Sequence, residues 1–260
     1  MKTAGLIASL IVPLLFACYP KKTEIAMTAV PAAPLLEALD RQRHAFTGLK
    51  AVASATFAKS GRKRTFDTVG VVVDDQCRLR LEAYGPLGQS IMVIVWDGQE
   101  FLLRLPEENR IDHTGPAGLE QFLGKGLEPS ELCAILSGNI PDVGKTALPV
   151  LLCGTNNECL LRLSSGALLR TVRVSYPVDQ PDRQPRIHSY ELSRSGSILF
   201  KAWFDRVEEI SHYPLPTQIE IDNPEKSLQL TIVYHEAEVN IAIGNEAFSL
   251  TEDPGNENRK

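Results

Sequence analysis

The chain has 260 residues, 43% of them hydrophobic and 23% charged, with a net charge of −5. This is enough apolar material for one large domain or two small ones. Without a Lys/Arg stripe to neutralise phosphates, it argues against a nucleic-acid partner. The one basic cluster, Arg62-Lys63-Arg64, falls in a turn, where a solvated loop is expected.

At the N-terminus, Lys2 precedes an apolar run from Leu6 to Phe16 that is too short for a comfortable membrane span. The run ends in Leu15-Phe16-Ala17-Cys18, which resembles the bacterial lipobox, a processing signal whose cysteine is acylated. The resemblance implies that residues 1–17 are a lipoprotein signal peptide and that Cys18 carries the lipid. Tyr19, where an aspartate would signal retention, implies sorting to the outer membrane. An ordinary secretory signal cut nearby is the alternative, and both routes lead to an oxidising compartment. Residues 18–33 then read as the lipidated cysteine and a flexible tether of polar and small residues. Residues 251–260 read as a disordered tail, which leaves 34–250 for the folded domain.

In chain order, a helix is expected from Pro34, with Leu35, Leu36, Leu39 and Phe46 as its apolar stripe. Strands are expected over Leu49–Phe57, Thr65–Val73 and Cys77–Ala83, the last alternating apolar and charged residues. Gly85-Pro86-Leu87-Gly88 turns the chain into an apolar strand, Gln89–Trp96. Asp97-Gly98 makes a hairpin to Glu100–Leu105. A turn tip is normally polar, so Leu87, held at the apex by Pro86 and Gly88, is a candidate contact for a greasy partner. The strand 89–96 is apolar on both faces, so its convex face needs a cover that no stretch of sequence identifies.

Helical spacing follows, in Pro116–Leu123 ending at Gly124 and in Glu128–Leu136 ending before Gly138. Strands then resume over 148–153, 158–163, 168–175, 187–193, 198–205, 217–222 and 227–234, broken by a loop containing Pro177, Pro181 and Pro185. About 11 strands are too many for a flat open sheet. The sequence therefore predicts one mainly β domain (α+β), a curled antiparallel sheet with amphipathic helices on its concave side.

Catalytic signatures are missing. His44, His113, His188, His212 and His235 are scattered, with no metal-ligand spacing. Gly144-Lys145-Thr146 imitates a phosphate loop with the wrong glycine spacing and a strand where a helix is required. Carboxylate pairs such as Asp74-Asp75 are strand neighbours that face opposite ways. No cofactor, metal or catalytic residue is expected, and so no enzyme. Cys153 and Cys159 bracket a hairpin loop, where a disulfide is plausible; Cys77 and Cys133 could then pair. Three connectivities are open, and free buried thiols are the alternative.

Arg80-Leu81, Gly85-Pro86-Leu87-Gly88, Asp97-Gly98, the Leu119–Gly124 helix end and Leu136-Ser137-Gly138-Asn139-Ile140-Pro141 follow one another in an order and spacing that resembles the outer-membrane lipoprotein receptor family (LolB), within the LolA/LolB-like fold. The resemblance covers about sixty residues, and the chain departs from it beyond about residue 145. It implies an unclosed antiparallel β-barrel with helices as a lid over an apolar cavity. It also implies a location at the periplasmic face of the outer membrane, and cargo of acylated lipoproteins or lipid received from a soluble periplasmic carrier. Leu87 is the position that corresponds to the protruding leucine of such receptors, which helps place cargo in the membrane. Ile91, Met92, Val93, Ile94, Val95, Leu119, Phe122, Leu132 and Leu136 are candidates to line the cavity; plain core is the alternative for each. At the level of function, the alternative is a structural or sensing accessory of envelope assembly built on the same fold without lipid transfer.

Overall fold

In the computed structural model, which describes residues 27–250 apart from 109, 116, 125, 143, 145, 146, 181 and 182, the chain opens with a short strand and a helix, β1 (Thr28–Val30) and α1 (Ala33–His44). Six strands follow: β2 (Gly48–Lys59), β3 (Arg62–Asp74), β4 (Leu79–Tyr84), β5 (Ser90–Trp96), β6 (Phe101–Leu105) and β7 (Arg110–Thr114). Two short helices, α2 (Ala117–Leu123) and α3 (Pro129–Leu136), interrupt the sheet. The chain then returns to strands: β8 (Leu148–Cys153), β9 (Glu158–Ser165), β10 (Leu168–Ser175), β11 (Arg186–Arg194), β12 (Ser197–Ile210), β13 (Tyr213–Asn223) and β14 (Leu228–Val239). The expected signal peptide, Cys18 and the tail after residue 250 lie outside the described residues.

All the strands join one antiparallel sheet in the order β1-β8-β9-β10-β11-β12-β13-β14-β2-β3-β4-β5-β6-β7. The two halves of the chain are stitched together where β14 pairs with β2, with Leu230 opposite Phe57 and Val239 opposite Leu49. Among the described residues no hydrogen-bonded pairing connects β1 to β7, so the curved sheet is a barrel that stays open. This is the expected curved, unclosed architecture, with 14 strands in place of about 11.

The additional strands are instructive. β1 lies in the stretch expected to be tether, with Val30 opposite Leu151 on β8, so the folded unit begins before the expected boundary at 34. At three residues it is too short for any alternation to be legible. The sequence of β7, Arg110-Ile111-Asp112-His113-Thr114, lacks an apolar face; its register opposite Leu105–Phe101 makes it a strand.

Local chemistry sets the turns. Ser60 and Gly61, both with left-handed φ (49° and 79°), form a two-residue turn whose twist suits the β2–β3 hairpin. Gly88 N–H donates to the Gly85 carbonyl at 2.9 Å, and Gly88 takes φ 80°, a conformation open to glycine. Because successive strands alternate in direction, the β2–β3, β4–β5, β9–β10, β11–β12 and β13–β14 turns collect at one end of the barrel. The β3–β4, β5–β6, β8–β9, β10–β11 and β12–β13 turns collect at the other.

The main core fills the concave side, where α1, α2 and α3 pack against the sheet. A second, separate cluster sits on the convex side: Val93, Val95, Leu102 and Phe248, with Val72, Ile243, Ala247 and Leu250 against it. Phe248 belongs to a 3₁₀ turn, Asn245–Phe248, in a strap that leaves β14 and crosses β4 and β5. The strap is the cover that the two-faced apolar strand required. Val93 and Val95 thus sit beneath it rather than on the concave wall, a correction forced by the side-chain period of two.

Candidate functional site

The lid is α2 and α3, and the sheet holds both by their ends. The last carbonyls of a helix have no partner within it. Here the wall supplies donors: Tyr234 Oη donates to the Leu136 carbonyl at 2.9 Å, Tyr213 Oη to Ser137 at 2.7 Å, and Asn223 Nδ2 to Leu123 at 3.0 Å. Burial pushes the Tyr213 and Tyr234 hydroxyls up from their ordinary value, so both remain proton donors. α3 ends in a glycine-capped turn: Gly138 N–H reaches the Ile135 carbonyl at 3.1 Å and Asn139 N–H that of Ala134 at 2.7 Å. Gly138 has φ 72°, and a Cβ there would lie 2.3 Å from Pro216 Cδ.

The first turn of α3 carries a buried polar latch. Glu131, 2% exposed, accepts from Tyr190 Oη at 2.6 Å and from Arg170 Nη2 at 3.1 Å, while Arg170 Nε donates to Tyr190 Oη at 3.0 Å. Burial pushes the Glu131 carboxyl above its ordinary value, against the pull of Tyr190 and Arg170. These three residues escaped the sequence reading, since each stands alone among ordinary strand and helix residues. On the same helix, Cys133 is disulfide-bonded to Cys77 just before β4, with Cα atoms 5.5 Å apart. Cys153 is bonded to Cys159 across the β8–β9 hairpin, Cα atoms 4.1 Å apart.

Of the expected lining, Leu119, Leu132 and Leu136 lie under the lid at 2%, 1% and 0% exposure, packed in the main core with Phe101, Tyr190 and Phe200. Ile91, Met92 and Ile94 are half-buried against that same core. The side chain of Phe122 lies outside the described residues. Thus Leu119, Leu132 and Leu136 join the buried core and Ile91, Met92 and Ile94 form its half-buried margin, while Val93 and Val95 are on the other face.

Open space lies beside the lid. A groove of about 670 Å³ runs between α1, residues 140–142 and 147–149, and β9, with Leu36, Leu39, Ile140, Ala147, Pro149 and Leu163 as its apolar lining and Glu37, Asp40, Arg43 and Asp142 as its charged lining. That volume falls within the range of roughly 300–1,000 Å³ found for ligand clefts. Arg43 of α1 bridges to Asp142 at 2.9 Å, and also contacts Asp40. This arginine, with Ile140, Pro141 and Asp142, borders a smaller space of about 210 Å³ that reaches Phe46, Cys77 and Cys133 at the base of α3. Both spaces have Arg43, Ile140, Pro141 and Asp142 among their walls. The signal for the groove was the breadth of the α1 stripe: Leu35 and Leu39 fill the core, and Leu36 is left half-exposed at its edge.

Leu87 lies at the other extreme, 92% exposed at the tip of the β4–β5 turn. The turn is built to hold it there: Gln89 Oε1 accepts from Leu87 N–H at 3.1 Å, and Gly85 N–H donates to the Gln89 carbonyl at 2.8 Å. Among the described residues no helix is long and apolar enough to cross a membrane.

No family model matches the chain, and no curated protein matches it in sequence. Solved structures match it in fold. A DUF1329 family protein from Desulfovibrio piger superposes with a TM-score of 0.60 at 13% identity, over 84% of this chain and 97% of that one. A LolA superfamily protein from Nitrosomonas europaea gives 0.56 at 14% identity, over 85% and 99%. A domain named for outer-membrane lipoprotein sorting, from Vibrio parahaemolyticus, gives 0.53 at 11% identity, over 82% and 95%. Identities this low speak for the fold alone: a LolA-like curved open barrel with helices on its concave side.

Proposed function

We propose that this chain is a lipoprotein anchored by Cys18 at the periplasmic face of the outer membrane. It binds acyl chains of lipoproteins or lipids and passes them to the membrane by binding alone, without catalysis. A soluble periplasmic carrier is the proposed donor. The observation that carries the reading is the largely apolar groove between α1, residues 140–142 and 147–149, and β9, open to solvent and sharing Arg43, Ile140, Pro141 and Asp142 with the space at the base of the lid. Withdrawing a sixteen-carbon chain from water is favourable by on the order of 10 kcal/mol, and aliphatic walls supply that without directional chemistry. The exposed Leu87 supports its role at the step of delivery.

The test is displacement of an apolar dye from the purified protein by palmitate. Binding that weakens in Leu36→Glu, with folding intact, is the expected result. Folded wild-type protein that takes up neither dye nor palmitate would overturn the reading. The burial of Leu119, Leu132 and Leu136 in the core favours a second reading, in which the same fold is a structural or sensing accessory in envelope assembly. The second reading predicts that null result, together with a protein partner.

A further inference from the structure

The β2–β3 hairpin, expected only to be solvated, lies at the same end of the barrel as Leu87. Thr68 on β3 pairs with Tyr84, the last residue of β4, so the stretch of β3 before Thr68 runs out beside the Leu87 turn. On the other side, Lys59 pairs with Leu228, and Ser60 N–H donates to the Ser227 carbonyl at 3.3 Å. This brings Lys226 of the β13–β14 turn up to the hairpin. Lys59, Arg62, Lys63, Arg64 and Lys226 therefore share one end of the barrel, against Asp67, Glu107 and Glu225.

Lys59, Arg62, Lys63 and Arg64 are all exposed and make no ion pair among the described residues, though the Arg64 guanidinium lies 4.7 Å from the Phe66 ring centre. The described residues of the turns at the opposite end lean acidic, with Asp75, Asp97, Glu100 and Asp179 against Arg78 and Arg183. The chain as a whole is acidic, at −5, so the basic patch runs against the average and gives the barrel a polarity along its axis. A protruding leucine with cations beside it combines apolar insertion with charge attraction, the two terms that bind peripheral proteins to anionic bilayers.

We propose that this end is a docking surface for an anionic phospholipid bilayer, with the hairpin cations on the headgroups and Leu87 entering between them. The proposal rests on the reading of Leu87 as a membrane-facing tip, and adds the lipid charge that the tip selects. The observations favour a bilayer over a protein partner because the cations lie along one side of a single apolar point rather than around a broad apolar patch.

The test is co-sedimentation of the chain from residue 19 onward, which keeps every described strand and helix, with two sets of vesicles. One set mixes phosphatidylethanolamine with phosphatidylglycerol; the other is phosphatidylcholine alone. Preference for the anionic vesicles is expected, weakening as salt is raised. Arg62→Gln/Lys63→Gln/Arg64→Gln should bind them roughly a hundredfold more weakly, with an unchanged melting temperature and unchanged palmitate displacement. Equal binding to both vesicle types, or insensitivity to salt in the wild type, would overturn the proposal without need of a variant. So would a folded triple variant that binds as the wild type does. If wild-type protein docks on anionic vesicles but takes up no palmitate, the acyl-binding reading falls and the docking surface stands.

Discussion

The sheet is covered on both faces, and the two covers are fixed by different physics. On the concave side, the helices α2 and α3 are held at their ends by directional bonds from Tyr213, Tyr234 and Asn223, by the Glu131–Arg170–Tyr190 latch and by the Cys77–Cys133 disulfide. On the convex side, the strap is held chiefly by apolar contact centred on one ring, with part-exposed arginine bonds at its rim, Arg78 Nη1 donating to Asn245 Oδ1 at 2.8 Å. Phe248 is 3% exposed among Val93, Val95 and Leu102, the Arg78 guanidinium lies 4.5 Å from its centre, and Arg80 reaches the Ala247 and Ser249 carbonyls at 3.5 Å. Directional bonds fix a position, whereas apolar contact fixes only a depth. The lid is thus specified in one place, and the strap can fray from its end.

Substitutions can break or sharpen this contrast. The largest expected effect is at the latch. Glu131→Ala leaves Arg170 facing the interior without its carboxylate and should cost about 3 kcal/mol in urea unfolding. Phe248→Ala should cost about 2 kcal/mol, near the value of burying the ring, because the strap can lift rather than leave a cavity. Amide exchange should then quicken along β5 and leave α3 protected. If α3 exchanges just as fast, the covers are coupled and the contrast fails. Tyr234→Phe removes one donor and leaves the Leu136 carbonyl buried, a loss of about 1 kcal/mol seen first as faster exchange at the end of α3.

The latch also predicts a pH dependence. The Glu131 carboxyl is held above its ordinary value of 4.5 when folded and returns to it when unfolded, so the folded state binds the proton more tightly. Its contribution is then full below the ordinary value and declines as pH rises through the folded one. Wild-type stability measured against Glu131→Gln should fall on going from acid to neutral pH; a flat difference would mean that Arg170 fully compensates for burial. The smallest effect is expected at Leu87. With the side chain 92% exposed, Leu87→Glu should shift stability by less than about 0.5 kcal/mol and still abolish delivery of cargo to vesicles.

Much of the sheet was legible because hairpins announce themselves through Gly and Asp and because half-buried strands alternate. The same rules explain what was not. β5 lacks alternation, being covered on both sides, so its residues could not be apportioned between faces. Phe248, the residue that divides them, sits in a turn with no period of its own. Each latch residue is polar and solitary, and only the curvature of the sheet brings Arg170 and Tyr190 to Glu131. The groove beside α1 is formed by residues more than a hundred positions apart, Leu36 and Leu163 among them, and the breadth of the α1 stripe is its one local trace. Leu87 was found early because its exposure follows from the turn itself.

The short strand β1 governs how an anchored molecule would stand. Thr28 lies opposite Cys153 at the β8–β9 turn, so the chain enters the fold at the end farthest from Leu87. From Cys18 to Met27 the backbone reaches at most about 30 Å when fully stretched, while β2 alone, with its 12 residues, runs roughly 40 Å. A leash of that length leaves little slack for planting the distant tip on the sheet of lipid that holds its root. The barrel would have to recline, flank against the bilayer, so adding residues before Met27 should let it rise.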